Sequence, residues 1–138
     1  MRKTLLFNGK IVSGVKQGAF FTQLDWFREQ CVEKLGYTPY PGTLNLEISS
    51  EHISEVEVIE QEAEIEFFPP DSTFCSGRAY PVHIEGIRAD IIMPAEEVRV
   101  HDKNIIEVIS KVKLKDALDA DDGDSVELTV DITKSKVL

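Results

Sequence analysis

Residues 37–46 read Tyr37-Thr38-Pro39-Tyr40-Pro41-Gly42-Thr43-Leu44-Asn45-Leu46, a proline and glycine turn that leads directly into alternating apolar and polar residues. A run that alternates in this way predicts a β-strand with one buried face. The alternation continues to Ile48 and sorts the side chains into two sets: Leu44, Leu46 and Ile48 on the apolar face, and Thr43, Asn45 and Glu47 on the polar face. The stretch therefore predicts a half-buried strand whose polar groups lie beside a tight turn.

The polar face of this strand carries oxygen donors that suit a metal ion. Thr43 has a hydroxyl and Asn45 an amide carbonyl, and Pro41-Gly42 lets the backbone approach a ligand closely. Neutral oxygen donors fit Mg²⁺, which keeps much of its water and takes other ligands from a phosphate. The alternative is that both side chains are solvated or cap the turn.

A second segment, Gly9 to Phe21, has the composition of a phosphate-binding loop. An apolar strand from Leu5 to Val12 ends there in small residues and glycines, which expose backbone N–H groups. The segment is neither a Walker P-loop nor a GxGxxG fingerprint, since the fixed spacings are absent. Taken as a bare pattern, it also fits an ordinary turn at the end of a strand.

Length and charge limit the class of protein. The chain has 138 residues and a net charge of −10, which predicts a single domain over residues 1–138 and argues against nucleic acid as the main partner. Eight acidic residues and no Lys or Arg lie between Glu47 and Glu66. No apolar run is long enough for a membrane span or a signal peptide, so we expect a cytoplasmic protein without a membrane partner. Cys31 and Cys75 lack metal-ligand spacing, and free thiols are favoured over a disulfide between them.

The rest of the sequence is mainly β. Short β-branched or alternating runs predict seven strands: Leu5 to Val12, Thr43 to Ile48, Val56 to Phe67, Ala79 to Ile84, Ile87 to Met93, Ile105 to Val112 and Ser125 to Ile132. Glu85-Gly86 predicts a two-residue hairpin turn. One helix is predicted from Thr22 to Leu35, with Thr22 or Asp25 as N-cap and Gly36 as its end, and a short one from Leu114 to Leu118. Short strands with one main helix favour a small closed β-barrel.

Several motifs occur together in this order: Gly-x-x-x-Ser-Gly at Gly9 to Gly14, then Gly18 with Phe20 and Phe21, and Pro-Tyr-x-Gly-Thr-Leu-Asn-Leu at Pro39 to Leu46. With Pro81, the Pro94 region, residues 105–109, Lys113-Leu114-Lys115 and Asp122-Gly123-Asp124, the chain resembles the archaeal-type CTP-dependent riboflavin kinases. The resemblance implies a six-stranded barrel of the cradle-loop type with ligands across its mouth. Some members also have an N-terminal helix-turn-helix domain, which we do not expect here.

The resemblance also implies a reaction and a site. The γ-phosphate of CTP would pass to the ribityl 5′-hydroxyl of riboflavin, giving FMN and CDP, with one Mg²⁺ bridged by the nucleotide. Thr43 and Asn45 match the metal ligands. Glu107 matches a flavin contact and is a candidate base, and Arg99 takes the place of a second flavin contact that is typically threonine. Two segments match the nucleotide contacts: Lys10, Ile11, Val12, Ser13, Gly14 and Val15, and Val112, Lys113, Leu114 and Lys115.

Two departures from the family pattern keep other functions open. Lys16-Gln17-Gly18 replaces the usual Gly-x-Gly, and Arg99 donates hydrogen bonds but cannot accept them. Glu107 would be a solvated strand residue if alternation alone governed it. One alternative is a flavin- or nucleotide-binding barrel without turnover. Another is an interaction protein whose acidic segment from Glu47 to Glu66 meets a basic partner.

Overall fold

A computed structural model describes residues 2–13, 22–70, 76–94 and 104–133. Within these ranges the strands are β1 (Arg2–Val12), β2 (Leu44–Ile48), β3 (Ile65–Phe67), β4 (Gly77–Ile84), β5 (Ile87–Pro94), β6 (Ile105–Ile109) and β7 (Ser125–Thr133). The helices are α1 (Asp25–Leu35), α2 (Ile53–Glu62) and α3 (Leu114–Leu118), and a 3₁₀ turn (Ser50–His52) precedes α2. None of the helices in the described ranges is long and apolar enough to cross a membrane.

Six of the strands form a closed antiparallel barrel in the order β4-β5-β6-β2-β1-β7. The barrel closes where β7 pairs with β4, at His83 opposite Thr129 and Ile84 opposite Leu128. The short strand β3 adds to the outer edge of β4. The predicted six-stranded closed barrel is confirmed, with one extra strand beside it.

The interior of the barrel is filled by the apolar face of each strand, as the alternation predicts. In β2, Leu46 and Ile48 are fully buried while Glu47 is exposed. Gly9 in β1 lies so close to β2 that an added Cβ would come within 3.0 Å of the Cβ of Leu46. The absence of a side chain at Gly9 therefore lets β1 and β2 approach over the core.

Helix α1 covers the outside of the barrel. Phe27, Cys31 and Leu35 recur every four residues, are all buried, and pack with residues of β3 to β6 in a second apolar cluster. Gly36 ends the helix with a φ of 87°, as predicted. The predicted start at Thr22 is wrong, since the helix begins at Asp25 and neither predicted N-cap residue is its cap, which is Leu24 without a side-chain hydrogen bond.

The predicted strand from Val56 to Phe67 is wrong over most of its length. Helix α2 occupies its first half, and only Ile65–Phe67 is extended. Val56, Ile59 and Glu62 are buried at steps of three residues, which is a helical period. The Glu-Val-Glu-Val alternation that suggested a strand spans too few residues to override this period.

The other predicted elements agree with the structure within a few residues. Glu85 and Gly86 form the two-residue hairpin turn with φ values of 48° and 85°. Strand β6 ends at Ile109 rather than Val112, because Lys111 and Val112 already bend toward α3. The short helix from Leu114 to Leu118 is confirmed.

Candidate functional site

Three of the predicted site residues meet where β2 pairs with β6. Asn45 lies directly opposite Glu107 in the strand register, and the Thr43 hydroxyl donates a 3.1 Å hydrogen bond to Oε1 of Glu107. Asn45 is 7% exposed and Glu107 only 3% exposed. Glu107 is thus a buried carboxylate that bonds a neighbouring strand, which rules out a solvated strand position.

The carbonyl oxygen of Asn45 is the unusual atom of this group. Oδ1 is buried and has no hydrogen-bond partner among the described residues. A buried acceptor without a partner costs about 1–3 kcal/mol, so such an atom suggests a ligand that supplies a donor or a cation. Together with the Thr43 hydroxyl it forms a neutral oxygen pair beside one carboxylate, and this donor set fits a Mg²⁺ ion that also takes phosphate and water ligands.

A metal site with more charged or imidazole ligands is absent from the described residues. No group of three or more His, Cys, Asp or Glu side chains within them has the placement to hold a metal ion. At nucleotide sites Mg²⁺ usually takes several of its ligands from phosphate and water.

A pocket of about 270 Å³ opens beside Thr43. Its lining includes the proline and glycine turn from Tyr40 to Gly42 and residues 112–115. Lys113 and Lys115 bring positive charge to this wall in a protein whose net charge is −10, which favours an anionic ligand. Thr43 lines the pocket and also bonds Glu107, so it joins the pocket to the β2–β6 group.

Asp122 connects the two predicted nucleotide-contacting segments. Its Oδ2 accepts a 2.9 Å hydrogen bond from Ser13, and its Oδ1 lies 2.7 Å from the Lys115 ammonium. These hydrogen bonds, from Lys115 first and then Ser13, hold the pKa of the exposed Asp122 carboxyl below its usual value. Sequence reasoning placed Asp122 only in a turn motif, because nothing in its spacing shows which distant side chains it meets.

The described part of the first segment, residues 10–13, does not line the pocket. Ile11 is buried in the core, and its backbone N–H and C=O bond Asp124 and Gly123 at 2.8 Å each. Lys10 lines a different hollow, with Asn8 and Glu47 among its walls. Ser13 and Lys115 contact the same carboxyl, that of Asp122. Val12 is half-buried at the end of β1. The remaining predicted contacts, Gly14, Val15 and Arg99, lie outside the described residues.

A buried polar cluster lies beneath helix α1. The Tyr37 hydroxyl donates a 2.7 Å hydrogen bond to Asp90, which is fully buried and pairs with Arg88 at 3.3 Å. Burial raises the pKa of Asp90, and the Tyr37 and Arg88 contacts oppose that rise without cancelling it. Burial, and then the Asp90 charge, raise the pKa of Tyr37, and they raise the pKa of the Cys31 thiol to about 12.

Comparison with known proteins identifies the family. The family model for CTP-dependent riboflavin kinases, described as domain of unknown function DUF120, matches residues 11–130. A protein named riboflavin kinase from Methanocella arvoryzae is 38% identical over 128 residues, which cover 91% of this chain and 57% of that protein. The riboflavin kinases of Archaeoglobus fulgidus (40% over 131 residues; 92% and 55%) and Pyrobaculum aerophilum (34% over 125 residues; 88% and 59%) are similar.

The chain spans a little over half the length of these curated relatives. The match nevertheless includes every strand of the barrel at least in part, and it includes the residues that meet at Thr43, Asn45 and Glu107. The chain belongs to the archaeal-type CTP-dependent riboflavin kinase family.

Proposed function

We propose that this chain is a riboflavin kinase that transfers the γ-phosphate of CTP to the ribityl 5′-hydroxyl of riboflavin, giving FMN and CDP. The family and the names of the relatives support this assignment. The observation that carries it is the buried Asn45 carbonyl oxygen without a partner among the described residues. Asn45 pairs with Glu107 across the strands, and Thr43, which bonds Glu107, lines a pocket that bears two lysines.

The pocket beside Thr43 suits the phosphates of the donor. Lys113 and Lys115 offset the negative charge of a triphosphate, and backbone groups of the flanking residues offer partners to a base. Ser13 and Lys115, joined by Asp122, keep the first predicted nucleotide segment within reach of the second. The other contacts assigned to the donor between Lys10 and Val15 stay part of this proposal.

Thr43 and Asn45 would hold one Mg²⁺ through their side-chain oxygens. When bound, the ion offsets charge that develops on the β- and γ-phosphates. The protein's part is mostly positioning, since phosphoryl transfer requires the donor and acceptor oxygens to lie in line.

Glu107 is placed to orient the acceptor. A buried carboxylate accepts hydrogen bonds strongly, and Oε1 already fixes its orientation through Thr43. We assign Glu107 the task of binding a ribityl hydroxyl close to the transferred phosphate. Removal of the hydroxyl proton by the same carboxylate is the second role that we propose for Glu107, and Arg99 is a proposed flavin contact.

A phosphorylation assay tests the proposal. Riboflavin is incubated with CTP, UTP, GTP or ATP in parallel, each with MgCl₂ and with a chelator, and FMN is separated from riboflavin by chromatography. We expect FMN to form with CTP and Mg²⁺ and to be lost with the chelator. Absence of FMN with all four donors would refute the kinase assignment, and ligand-induced stabilisation without FMN would instead indicate a binding module. FMN formed faster from ATP than from CTP would refute the donor assignment.

A further inference from the structure

The turn formed by residues 39–42, part of which lines the pocket, is held by hydrogen bonds to residues elsewhere in the chain. The Tyr40 N–H donates to the Ser110 carbonyl at 2.7 Å, and the Gly42 N–H donates to the Thr22 hydroxyl at 2.8 Å. Arg28 adds a bridge, since its Nη1 lies 3.3 Å from the Pro39 carbonyl oxygen and 3.2 Å from that of Thr22. Residues 39–42 are therefore fixed at three separate points.

Thr22 is the innermost of these supports. It is 0% exposed, and its hydroxyl accepts the N–H of the residue immediately before Thr43. Gly42 has a φ of 131°, a backbone conformation that favours glycine. Because a glycine has little conformational preference of its own, the direction in which the chain leaves Gly42 depends on what bonds its N–H.

We propose that Thr22 and Arg28 are positioning residues of the site, and that they hold the turn so that the Thr43 hydroxyl stays beside Glu107 and the Asn45 carbonyl oxygen. This inference rests on the proposed function for its effect on turnover, but the contact itself is testable without it. Among the described residues, neither Thr22 nor Arg28 lines the pocket. Both bond the backbone of residues 39–42, of which Tyr40 to Gly42 line the pocket together with Lys113 and Lys115.

The effect on the reaction follows from how closely the donor oxygens must be placed. Displacement of a catalytic group by about 1 Å costs on the order of 100-fold in rate. Loss of the Thr22 hydroxyl leaves the Gly42 N–H without its acceptor, and the turn can then shift to reach another. Thr43 is the next residue, so its oxygen moves with the turn while Asn45 and Glu107 stay fixed in their strands.

The experiment compares three single variants with the wild type. Thr22→Val keeps the shape of the side chain and removes the hydroxyl, whereas Thr22→Ser keeps the hydroxyl. Thr38→Val, at an exposed position of the same segment, is the matched control. Amide hydrogen exchange at Gly42 is measured by NMR, together with the Mg²⁺ concentration that gives half-maximal FMN formation and the affinity for riboflavin.

We expect Thr22→Val to speed Gly42 exchange and to raise the half-saturating Mg²⁺ concentration, each by about five- to tenfold, the worth of one ordinary hydrogen bond. Riboflavin affinity should change less than the half-saturating Mg²⁺ concentration, because Glu107 stays in its strand, and Thr22→Ser and Thr38→Val should resemble the wild type. Wild-type exchange at Gly42 in Thr22→Val, or equal impairment in Thr22→Ser and Thr22→Val, would overturn the proposal.

The proposal stays testable if the wild type is inactive or if Thr22→Val does not fold. If the wild type forms no FMN, the proposed function fails, and Gly42 exchange still decides whether Thr22 fixes the turn. If Thr22→Val does not fold, Arg28→Gln replaces it, since Arg28 is only half-buried. The same rise in half-saturating Mg²⁺ is then expected, and an unchanged value in folded Arg28→Gln would overturn the role of the bridge.

Discussion

The side chain of Asn45 has opposite effects on stability and on the proposed activity. Its carbonyl oxygen is buried without a partner among the described residues, which costs folding free energy, yet the same oxygen is our candidate metal ligand. Residues at functional sites commonly carry such a cost because the ligand, and not the fold, satisfies them. A substitution that removes the oxygen but keeps the branched shape of the side chain distinguishes its effect on stability from its effect on metal binding.

Asn45→Leu is that substitution. We expect it to raise the free energy of unfolding by about 1 kcal/mol, since it replaces an unsatisfied acceptor by an apolar group of similar size, and to abolish Mg²⁺-dependent FMN formation. Urea unfolding and the phosphorylation assay measure the two effects. Wild-type turnover at limiting Mg²⁺ would contradict the metal assignment.

Leu46→Ala, one residue along on the opposite face of β2, is the matched control. Leu46 is 0% exposed, so its truncation should cost roughly 2–5 kcal/mol of stability. Turnover at a temperature where the variant stays folded should be close to that of the wild type. The pair thus distinguishes loss of a site atom from loss of core packing.

Glu107→Gln separates positioning from proton removal. Glutamine keeps an acceptor oxygen for the Thr43 hydroxyl, so we expect riboflavin binding to weaken by about 1–2 kcal/mol, the difference between a charged and a neutral hydrogen bond. If Glu107 were an essential base, saturated turnover would instead fall by about 10² to 10⁴ with riboflavin affinity retained. Riboflavin affinity and saturated turnover are both measured, with exposed Glu47→Gln as control. Wild-type values for both would show that the flavin is not bound here.

At the scale of secondary structure, the cluster beneath α1 joins the end of that helix to β5. Tyr37 follows Gly36, the C-cap of the helix, and bonds Asp90 in β5, while Arg88 of the same strand pairs with the same carboxyl. The Asp90 charge raises the pKa of Cys31 in α1, and His83 acts on Asp90 to lower its pKa. The contact between the end of α1 and β5 therefore depends on the protonation state of Asp90.

Asp90 predicts a pH dependence of stability with a definite sign. Its pKa in the folded state is raised above the ordinary 3.8. As the pH rises above 3.8, the unfolded chain releases the Asp90 proton while the folded chain keeps it, so folding loses stability until the raised pKa is passed. The free energy of unfolding of wild type minus that of Asp90→Asn should thus fall between pH 4 and 7 in urea titrations. A difference that grows with pH would mean that Arg88 and Tyr37 outweigh burial.

The sequence predicted those elements whose pattern is local. Strand β2, the Glu85-Gly86 turn and helix α3 each follow from a short periodic or turn motif, and the structure agrees. Where helix α2 forms, the sequence predicts a strand, because charged residues alternate with apolar ones for a few positions. Its helical period becomes decisive only when Val56 and Ile59 bury against the barrel, which is a tertiary effect.

The same difference between local patterns and tertiary contacts applies to the site. Sequence motifs predict Thr43, Asn45 and Glu107 as site residues, and the strand register brings them together. Thr22 and Asp122 act across gaps of 20 and 109 residues, and no spacing in the sequence reveals such pairs. A polar side chain before a helical pattern usually caps the helix, so the sequence instead predicts Thr22 or Asp25 as the N-cap.

At the scale of the whole molecule, Cys31 lies where it can report on global unfolding. It is 0% exposed on the buried face of α1, and the pKa of its thiol is raised to about 12. The thiolate, which is the reactive form, is therefore scarce at neutral pH, and the sulfur is inaccessible while the fold is intact. Labelling requires the helix to leave the barrel.

In a Cys75→Ser background, Cys31 is the chain's only thiol. We expect iodoacetamide at pH 8 to label it at a rate proportional to the unfolded population, rising with urea in parallel with the loss of structure measured by circular dichroism. Labelling of the native protein at the rate of a free cysteine would contradict the burial of Cys31. An intermediate rate independent of urea would show local opening of α1 alone.

The pairing of β1 with β7 has a consequence for synthesis on the ribosome. Arg2 lies opposite Thr133 and Lys10 opposite Ser125, whereas β2 pairs only with residues 9–12 of β1. Residues 2–8 thus have no other partner strand in the described structure. At about 5–20 residues per second, on the order of ten seconds pass between the emergence of β1 and that of β7. Throughout that interval the nascent chain carries an open strand edge, so the barrel is completed only after translation of the segment that closes it.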